Sequence, residues 1–276
     1  MTTTFDWEGR VGDVWADEWR RTDRSLAGLG RRLDAAILAA APETGIAIDL
    51  GCGAGGTSLA LAAGRPELAI TGIDLSPSLV AIANERAAGI ANLSFRVADA
   101  QSLGGSEADL LFSRHGVMFF DDPVAGFAAL RDAARPGGRL VFSCFAPHAA
   151  NEWALVVEAA VGVAASTPSG YAPGPYGLAD PAFTQDMLER AGWVDAMPTP
   201  VDFTYVAGEG ADPVEDALGF FSRIGPAARA MHDAAPDRRA AMRASLRAAL
   251  AGHVRDGAVT FPAAAWIWTA TAGARA

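Results

Sequence analysis

At 276 residues, 51% hydrophobic and 20% charged, the chain is long enough to enclose a sizeable core and too apolar to be disordered. A formal net charge of -10 opposes a broad footprint for nucleic acid. All 22 basic residues are Arg, which excludes Schiff-base lysines, P-loops and Tyr-x-x-x-Lys dehydrogenase chemistry together.

Residues 13–41 carry Trp15, Trp19, Leu26, Leu29, Leu33, Ile37 and Leu38 at helical spacing and predict one long N-terminal helix packed on the domain. Arg20, Arg21, Arg24, Arg31 and Arg32 are expected on its solvated face. Residues 46–48 form a β-branched run that reads as a buried strand, followed by a glycine-rich turn and a helix over 57–63. A second apolar run, 68–73, ends at Asp74. Ser76 then caps a helix over 77–88, with Pro77 at its first position and Gly89 past its end. A third strand, 93–97, leads into Asp99, Ala100 and Gln101, and a fourth, 108–112, delivers Ser113, Arg114, His115 and Gly116. A helix over 123–135, the turn Pro136-Gly137-Gly138 and a fifth strand over 139–145 complete an alternation that implies a parallel, doubly wound α/β sheet.

From residue 146 the alternation lapses. A helix over 151–165 precedes a Pro-, Gly- and Tyr-rich segment, 167–180, which reads as a lid beside a binding crevice. A helix over 183–191 and an interrupted sixth strand over 193–206 follow, and a last strand is expected over 259–271. Between these two strands, 211–254 is helical with breaks at Gly225-Pro226 and Pro236. Residues 207–256 are expected to form a cap that returns into the sheet, because the segment cannot enclose its own core. Pro262 must sit at the start or the edge of its strand. Cys52 and Cys144 are too few and too far apart for a disulfide framework or a zinc site and read as small buried residues. The four histidines show no ligand spacing, so no metal is expected. Without a secretory signal, and with Pro168, Pro173 and Pro175 breaking the longest uncharged stretch, the reading is a cytoplasmic protein with no membrane span.

The glycine turn fits two overlapping patterns. Gly51, Gly53 and Gly56 match G-x-G-x-x-G, whereas Asp49, Gly51, Gly53 and Gly55 match D-x-G-x-G-x-G. In a dinucleotide site Asp49 would set a carboxylate near a pyrophosphate, like charge against like. The same carboxylate suits a ligand with an amino group and no phosphate, such as S-adenosylmethionine. At this point the chain resembles the class I S-adenosylmethionine-dependent methyltransferases, whose first motif is an acidic residue at the end of strand one followed by G-x-G-x-G. Three further features agree. Asp74, 18 residues past Gly56, is placed to accept hydrogen bonds from both ribose hydroxyls, a property shared with NAD sites. Asp99 matches the place where the resembled family binds the adenine amino group, with Ala100 offering a main-chain N–H to the ring, and Arg135-Pro136-Gly137-Gly138 matches the turn before strand five.

The resemblance implies a doubly wound, mostly parallel seven-stranded sheet, its last two strands a hairpin with the seventh antiparallel between the fifth and sixth. It implies one methyltransferase domain over 1–276, with an N-terminal helix at 13–41 that can close over the cofactor and a cofactor core at 45–145; the lid at 146–182 and the helical cap at 207–256 carry no family-wide signature and are where the acceptor would be selected. The cofactor would be S-adenosylmethionine, the product S-adenosylhomocysteine, and the binding residues Asp49, Gly51, Cys52, Gly53, Gly55, Asp74, Leu75, Asp99, Ala100, Gln101 and Ser113. The acceptor would be a small, apolar or aromatic molecule near the segment after strand four.

A methyl sulfonium is already an electrophile, so the protein must mainly align a nucleophile and exclude water. If that nucleophile is protonated, His115 is the candidate base, since a neutral imidazole accepts a proton near pH 7; the plainer reading of a lone His is structural. Trp19, His115, His148, Tyr171 and Tyr176 are candidate acceptor contacts, with Trp153 as a further ring, while His232 and His253 are expected to face solvent. Two alternatives stay open, an NAD-dependent oxidoreductase and an S-adenosylmethionine-binding protein without catalysis, as does a homodimer. Ser113-Arg114-His115-Gly116 lacks the Asn-Pro-Pro-Tyr signature of amino-methylation of RNA or protein.

Overall fold

The computed structural model describes residues 7–164 and 170–274. Helices α1 (Arg10–Asp17), α2 (Trp19–Ser25) and α3 (Ala27–Ala40) precede β1 (Gly45–Leu50), and an alternation follows: α4 (Gly56–Gly64), β2 (Leu68–Asp74), α5 (Pro77–Arg86), β3 (Leu93–Val97), β4 (Ala108–Arg114), α6 (Pro123–Ala133) and β5 (Ala134–Phe145). Then come α7 (Glu152–Val161), α8 (Pro181–Arg190), the long β6 (Trp193–Gly208), helices α9 (Pro213–Phe221), α10 (Pro226–Asp233) and α11 (Pro236–Ala251), and a hairpin of β7 (Val254–Arg255) with β8 (Ala258–Ala272). Four helices start on a capping side chain followed by proline: Ser76, Asp122, Asp180 and Asp212 each accept a first-turn N–H, and Pro77, Pro123, Pro181 and Pro213 supply a helical φ where no N–H is needed.

The strand order is β3-β2-β1-β4-β5-β8-β6, parallel from β3 through β5, with β8 antiparallel to both β5 and β6. The hairpin arrangement implied by the resemblance is therefore present, and the two-residue β7 adds an eighth strand beside β8. The period of two along each strand divides the core between the faces. Ile48, Leu111 and Phe142 join Phe127, Trp193 and Trp268 in one cluster, whereas Ala47, Leu110 and Val141 join Leu29, Leu33 and Ile37 in another. A third cluster holds α7 and α9 to α11 against the sheet through Phe145, Tyr205 and Phe261. Pro262 pairs with Thr204 of β6, while on its other side β5 has ended opposite Ala265, so the missing N–H falls where the ladder is open.

The N-terminal region departs from the single helix expected over 13–41. The backbone leaves helical geometry at Glu18 (φ -97°, ψ 9°) and Leu26 (φ -101°, ψ 6°), giving three segments. Each packs on a different surface, α1 on α5, α2 on β6 and α3 on α4 and the sheet, so a straight rod could not reach all three. The arginines divide accordingly. Arg20, Arg31 and Arg32 are exposed as expected, but Arg21 and Arg24 dock α2 through Asp216 at 2.7 Å each, and Arg24 also donates to the carbonyls of Val206 and Ala207. Arg135 meets Asp109 Oδ1 at 2.7 Å, and Asp109 Oδ2 accepts from Ile46 N at 2.8 Å, which ties the Arg-Pro-Gly-Gly turn to the starts of β1 and β4. Among the described residues no helix is long and apolar enough to cross a membrane.

Candidate active site

The chain steps outward from β1 through β2 to β3 and then crosses back to β4 on the other side of β1, so a crevice opens at the carboxyl ends of β1 and β4, where open α/β sheets collect ligands. A cavity of about 300 Å³ occupies it, a volume suited to a small molecule. Its floor is the glycine turn, where Gly51, Gly53 and Gly55 take φ of 64°, 54° and 79°; Gly51 and Gly53 line the cavity, whereas Gly55, expected to bind the cofactor, does not and faces Phe95 and Ala83. Nothing lies within 4 Å of where a Cβ on Gly53 would project, so the turn leaves open space at that backbone.

Acidic side chains surround the turn. Asp49 ends β1 with 1% of its surface exposed; its Oδ2 accepts from Ser58 Oγ at 2.6 Å, and Oδ1 is buried with no partner among the described residues. Burial raises its carboxyl to about 7, against the pull of the Ser58 hydrogen bond and the Arg114 charge. Asp74 accepts from Gly53 N and Ser76 N, each at 2.9 Å, which locks the turn to the end of β2; burial raises its carboxyl despite those hydrogen bonds. Asp99 accepts from Gln101 N at 2.9 Å and shapes the short turn Ala100–Ser102. Cys52, Leu75, Ala100 and Gln101 complete this end of the cavity wall, and burial pushes the Cys52 thiol well up.

Past β4, the chain turns sharply at His115, a non-glycine residue with φ of 64°. Its Nδ1 shares a 2.8 Å hydrogen bond with Ser143 Oγ, its ring meets Phe145 edge-on at 4.3 Å, and its Nε2 is buried without a partner among the described residues. Burial, helped by the neighbouring Arg114 charge, lowers the imidazole to about 3. His115 thus stays neutral at ordinary pH, able to accept a hydrogen bond but poor at keeping a proton, which weakens the expectation of a general base.

Several candidates sit elsewhere than expected. Ser113 does not reach the cavity: its Oγ donates to Leu50 O at 2.6 Å and accepts from Gly116 N at 3.0 Å, because strand alternation turns it inward and Arg114 outward. Tyr171 is likewise outside the lining, its hydroxyl donating to Phe120 O at 2.6 Å and its ring stacked on Phe183. His148 stands behind the wall, with Nε2 3.0 Å from Oε2 of Glu158, which lines the cavity. Trp19, Tyr176 and Trp153 do line it, and Trp19 lies between the guanidinium groups of Arg20 and Arg86. Of the expected lid, 165–169 fall outside the described residues; the following segment is pinned down by Gly174 N donating to Met118 O at 2.9 Å and by the buried Leu178.

Other lining residues had escaped the sequence reading. Asp23 of α2 holds both Arg114 and Arg86, closing the side of the cavity beside Trp15 and Trp19; a lone acid among arginines was the available signal. From α9 and the residues after it, Phe220, Phe221 and Ile224 form the opposite wall. Asp23, Asp49, Asp74, Asp99, Asp121 and Glu158 face a single lining arginine, Arg114, already bound to Asp23.

Residues 48–142 match the family model described as a methyltransferase domain. The malonyl-[acyl-carrier protein] O-methyltransferase of Hahella chejuensis is 39% identical over 98 residues, 35% of each chain. The trans-aconitate 2-methyltransferase of Deinococcus radiodurans is 32% identical over 152 residues, 54% of this chain and 58% of that protein. The matched span is thus about a third to three-fifths of the length of these relatives. Among solved structures, a Haemonchus contortus phosphoethanolamine N-methyltransferase in complex with S-adenosylhomocysteine superposes with a TM-score of 0.58 at 16% identity, over 99% of this chain and 61% of that one. Over residues 48–142 the chain thus matches a methyltransferase domain, and the chain as a whole has the fold of the class I S-adenosylmethionine-dependent methyltransferases.

Proposed function

We propose that this chain transfers a methyl group from S-adenosylmethionine to a small, apolar or aromatic acceptor and releases S-adenosylhomocysteine. The observation that carries the reading is Asp49: a carboxyl group buried beside a glycine turn, with one oxygen unpartnered, lacks the cationic group that an amino-acid ligand supplies. Asp74 retains acceptor capacity for ribose hydroxyls, because each carboxylate oxygen can take more than one donor. Asp99 and the N–H of Ala100 suit an adenine edge. The acid-rich lining opposes a pyrophosphate, which argues against NAD. Bound S-adenosylmethionine supplies a methyl group already activated on a sulfonium. The chain's own residues hold the ligand, exclude water through Trp15, Trp19 and Phe221, and orient the acceptor. The carboxylic acids named for the two relatives fit poorly here, since Arg114 is taken by Asp23.

Calorimetry on the purified protein tests the cofactor. Micromolar binding of S-adenosylmethionine or S-adenosylhomocysteine with no NAD binding is expected; NAD binding without either would overturn the reading. Saturable methyl transfer to an acceptor separates an enzyme from a binding protein. His115 is expected to position the acceptor, not to store its proton. His115→Asn should therefore lower kcat/KM by less than about 100-fold, the scale below which base removal is not implicated. The wild-type rate should show no His115 limb between pH 5 and 8, because the imidazole stays neutral down to about 3. A limb near pH 6 to 7 that vanishes in the variant would restore the base.

A further inference from the structure

The two sides of the cavity differ in chemistry. Asp74 and Asp99 follow β2 and β3 on one side of the switch point, whereas α7 follows β5 on the other, bringing Trp153 and Glu158 to the far wall. There the rings form a continuous box. Trp153 stacks on Tyr205 at 4.9 Å and on Phe221 at 6.3 Å, and Phe145 contacts Trp153 at 5.6 Å and Tyr176 at 6.0 Å. Trp153 is 8% exposed, and among the described residues neither its Nε1 nor the buried Tyr176 hydroxyl has a hydrogen-bond partner. Glu158 is the one acid on this wall among the described residues; its side chain is 12% exposed, and its Oε2 lies 3.0 Å from His148 Nε2 without a hydrogen bond between them. A carboxylate has about four acceptor sites, so one neighbour leaves most of its capacity unused. Aromatic faces beside a carboxylate, with no lining cation but the already paired Arg114, form a surface complementary to an ammonium group.

We propose that this wall recognises a protonated amine on the acceptor, with Glu158 as its counter-ion and Trp153, Tyr176 and Phe145 as its aromatic enclosure, so that the chain selects arylalkyl amines over the matching alcohols and carboxylates. The proposal rests on the methyltransferase reading, because it assigns this wall to the acceptor. An anionic acceptor would meet the like charge of Glu158, whose one close basic neighbour, His148, stands behind the wall, and a neutral alcohol would gain the rings but not the charge.

The test is calorimetric titration of phenethylamine, tyramine, 2-phenylethanol and 3-phenylpropionate into the intact protein, with and without saturating S-adenosylhomocysteine. The amines should bind at least tenfold more tightly than the alcohol, and the propionate should not bind. In Glu158→Gln the preference for amine over alcohol should disappear while affinity for S-adenosylhomocysteine stays within twofold; that affinity also reports that the variant folds, and Glu158→Asp should keep part of the preference. Equal binding of amine and alcohol by the wild type, no amine binding in either condition, or a preference that survives Glu158→Gln would overturn the assignment. Amine selectivity without any S-adenosylhomocysteine binding would instead retain the amine site and sink the methyltransferase reading.

Discussion

Asp49→Asn is expected to weaken S-adenosylhomocysteine binding by roughly 10- to 100-fold and, at neutral pH, to make the ligand-free protein more stable. Asn keeps the shape and the contact with Ser58 but removes the charge that would meet the ligand's ammonium; a hydrogen bond to a charged group contributes about 1.5–3 kcal/mol, which gives that range. Stability moves the other way. The unfolded chain ionises this carboxyl near its ordinary 3.8, while the folded one keeps its proton up to about 7. Between those values folding takes up a proton, so stability is lost as pH rises through the window, by up to about 4 kcal/mol for a shift of this size. The melting temperature of the ligand-free protein should therefore fall from pH 5 to pH 7.5, and Asp49→Asn should flatten most of the slope. A residual slope of the same sign is expected from Asp34, raised to about 6 by burial. Differential scanning calorimetry across that range, paired with titration calorimetry, checks both halves. A variant that binds S-adenosylhomocysteine like the wild type would remove Asp49 from the site.

Gly55→Val should destabilise the protein by about 2–5 kcal/mol and take the cofactor site with it. Gly55 has φ of 79°, and its N–H donates to Cys52 O at 2.9 Å to close the turn before α4. A β-branched residue is strained there by roughly 1–2 kcal/mol. A Cβ at this position would also lie 2.6 Å from Phe95 Cζ and 3.2 Å from Ala83 Cβ, inside a packed cluster, which adds about 1–3 kcal/mol of overpacking. For a chain of this size the sum corresponds to a fall of roughly 4–20 °C in Tm. Gly137→Ala is the control that separates strain from collision, since Gly137 has φ of 78° with nothing within 4 Å of its Cβ position. It should cost only about 1 kcal/mol. Equal losses in the two variants would show that contact with Phe95 is not what the turn requires.

Most of the frame was legible in the residues because it rests on local rules. β-branched and apolar runs marked strands, capping residues followed by proline marked helix starts, and an acid ending each of the first two strands marked the ligand edge. Pro262 announced an open ladder position before any partner strand was known. These signals act over a few residues, and local backbone sterics and hydrogen bonding enforce them wherever the chain goes.

What decided the site's walls acts over distance. Whether 13–41 stays straight depends on three surfaces it meets far along the chain, and Arg21 and Arg24 leave solvent because Asp216, nearly 200 residues later, is there to pair with them. Ser113 and Arg114 differ by one position, yet strand alternation sends one to brace Leu50 and the other to Asp23. His115 has an ordinary sequence context and a lowered pKa because β5 and its neighbours bury it. Glu158 sits in an apolar helix like any solvent-facing acid; only the convergence of Trp153, Tyr176 and Phe221 from separate elements makes it part of a cavity. Desolvation and ring packing are properties of a three-dimensional neighbourhood, so the glycine turn can be read from its own residues while the aromatic wall of the cavity is defined by the fold.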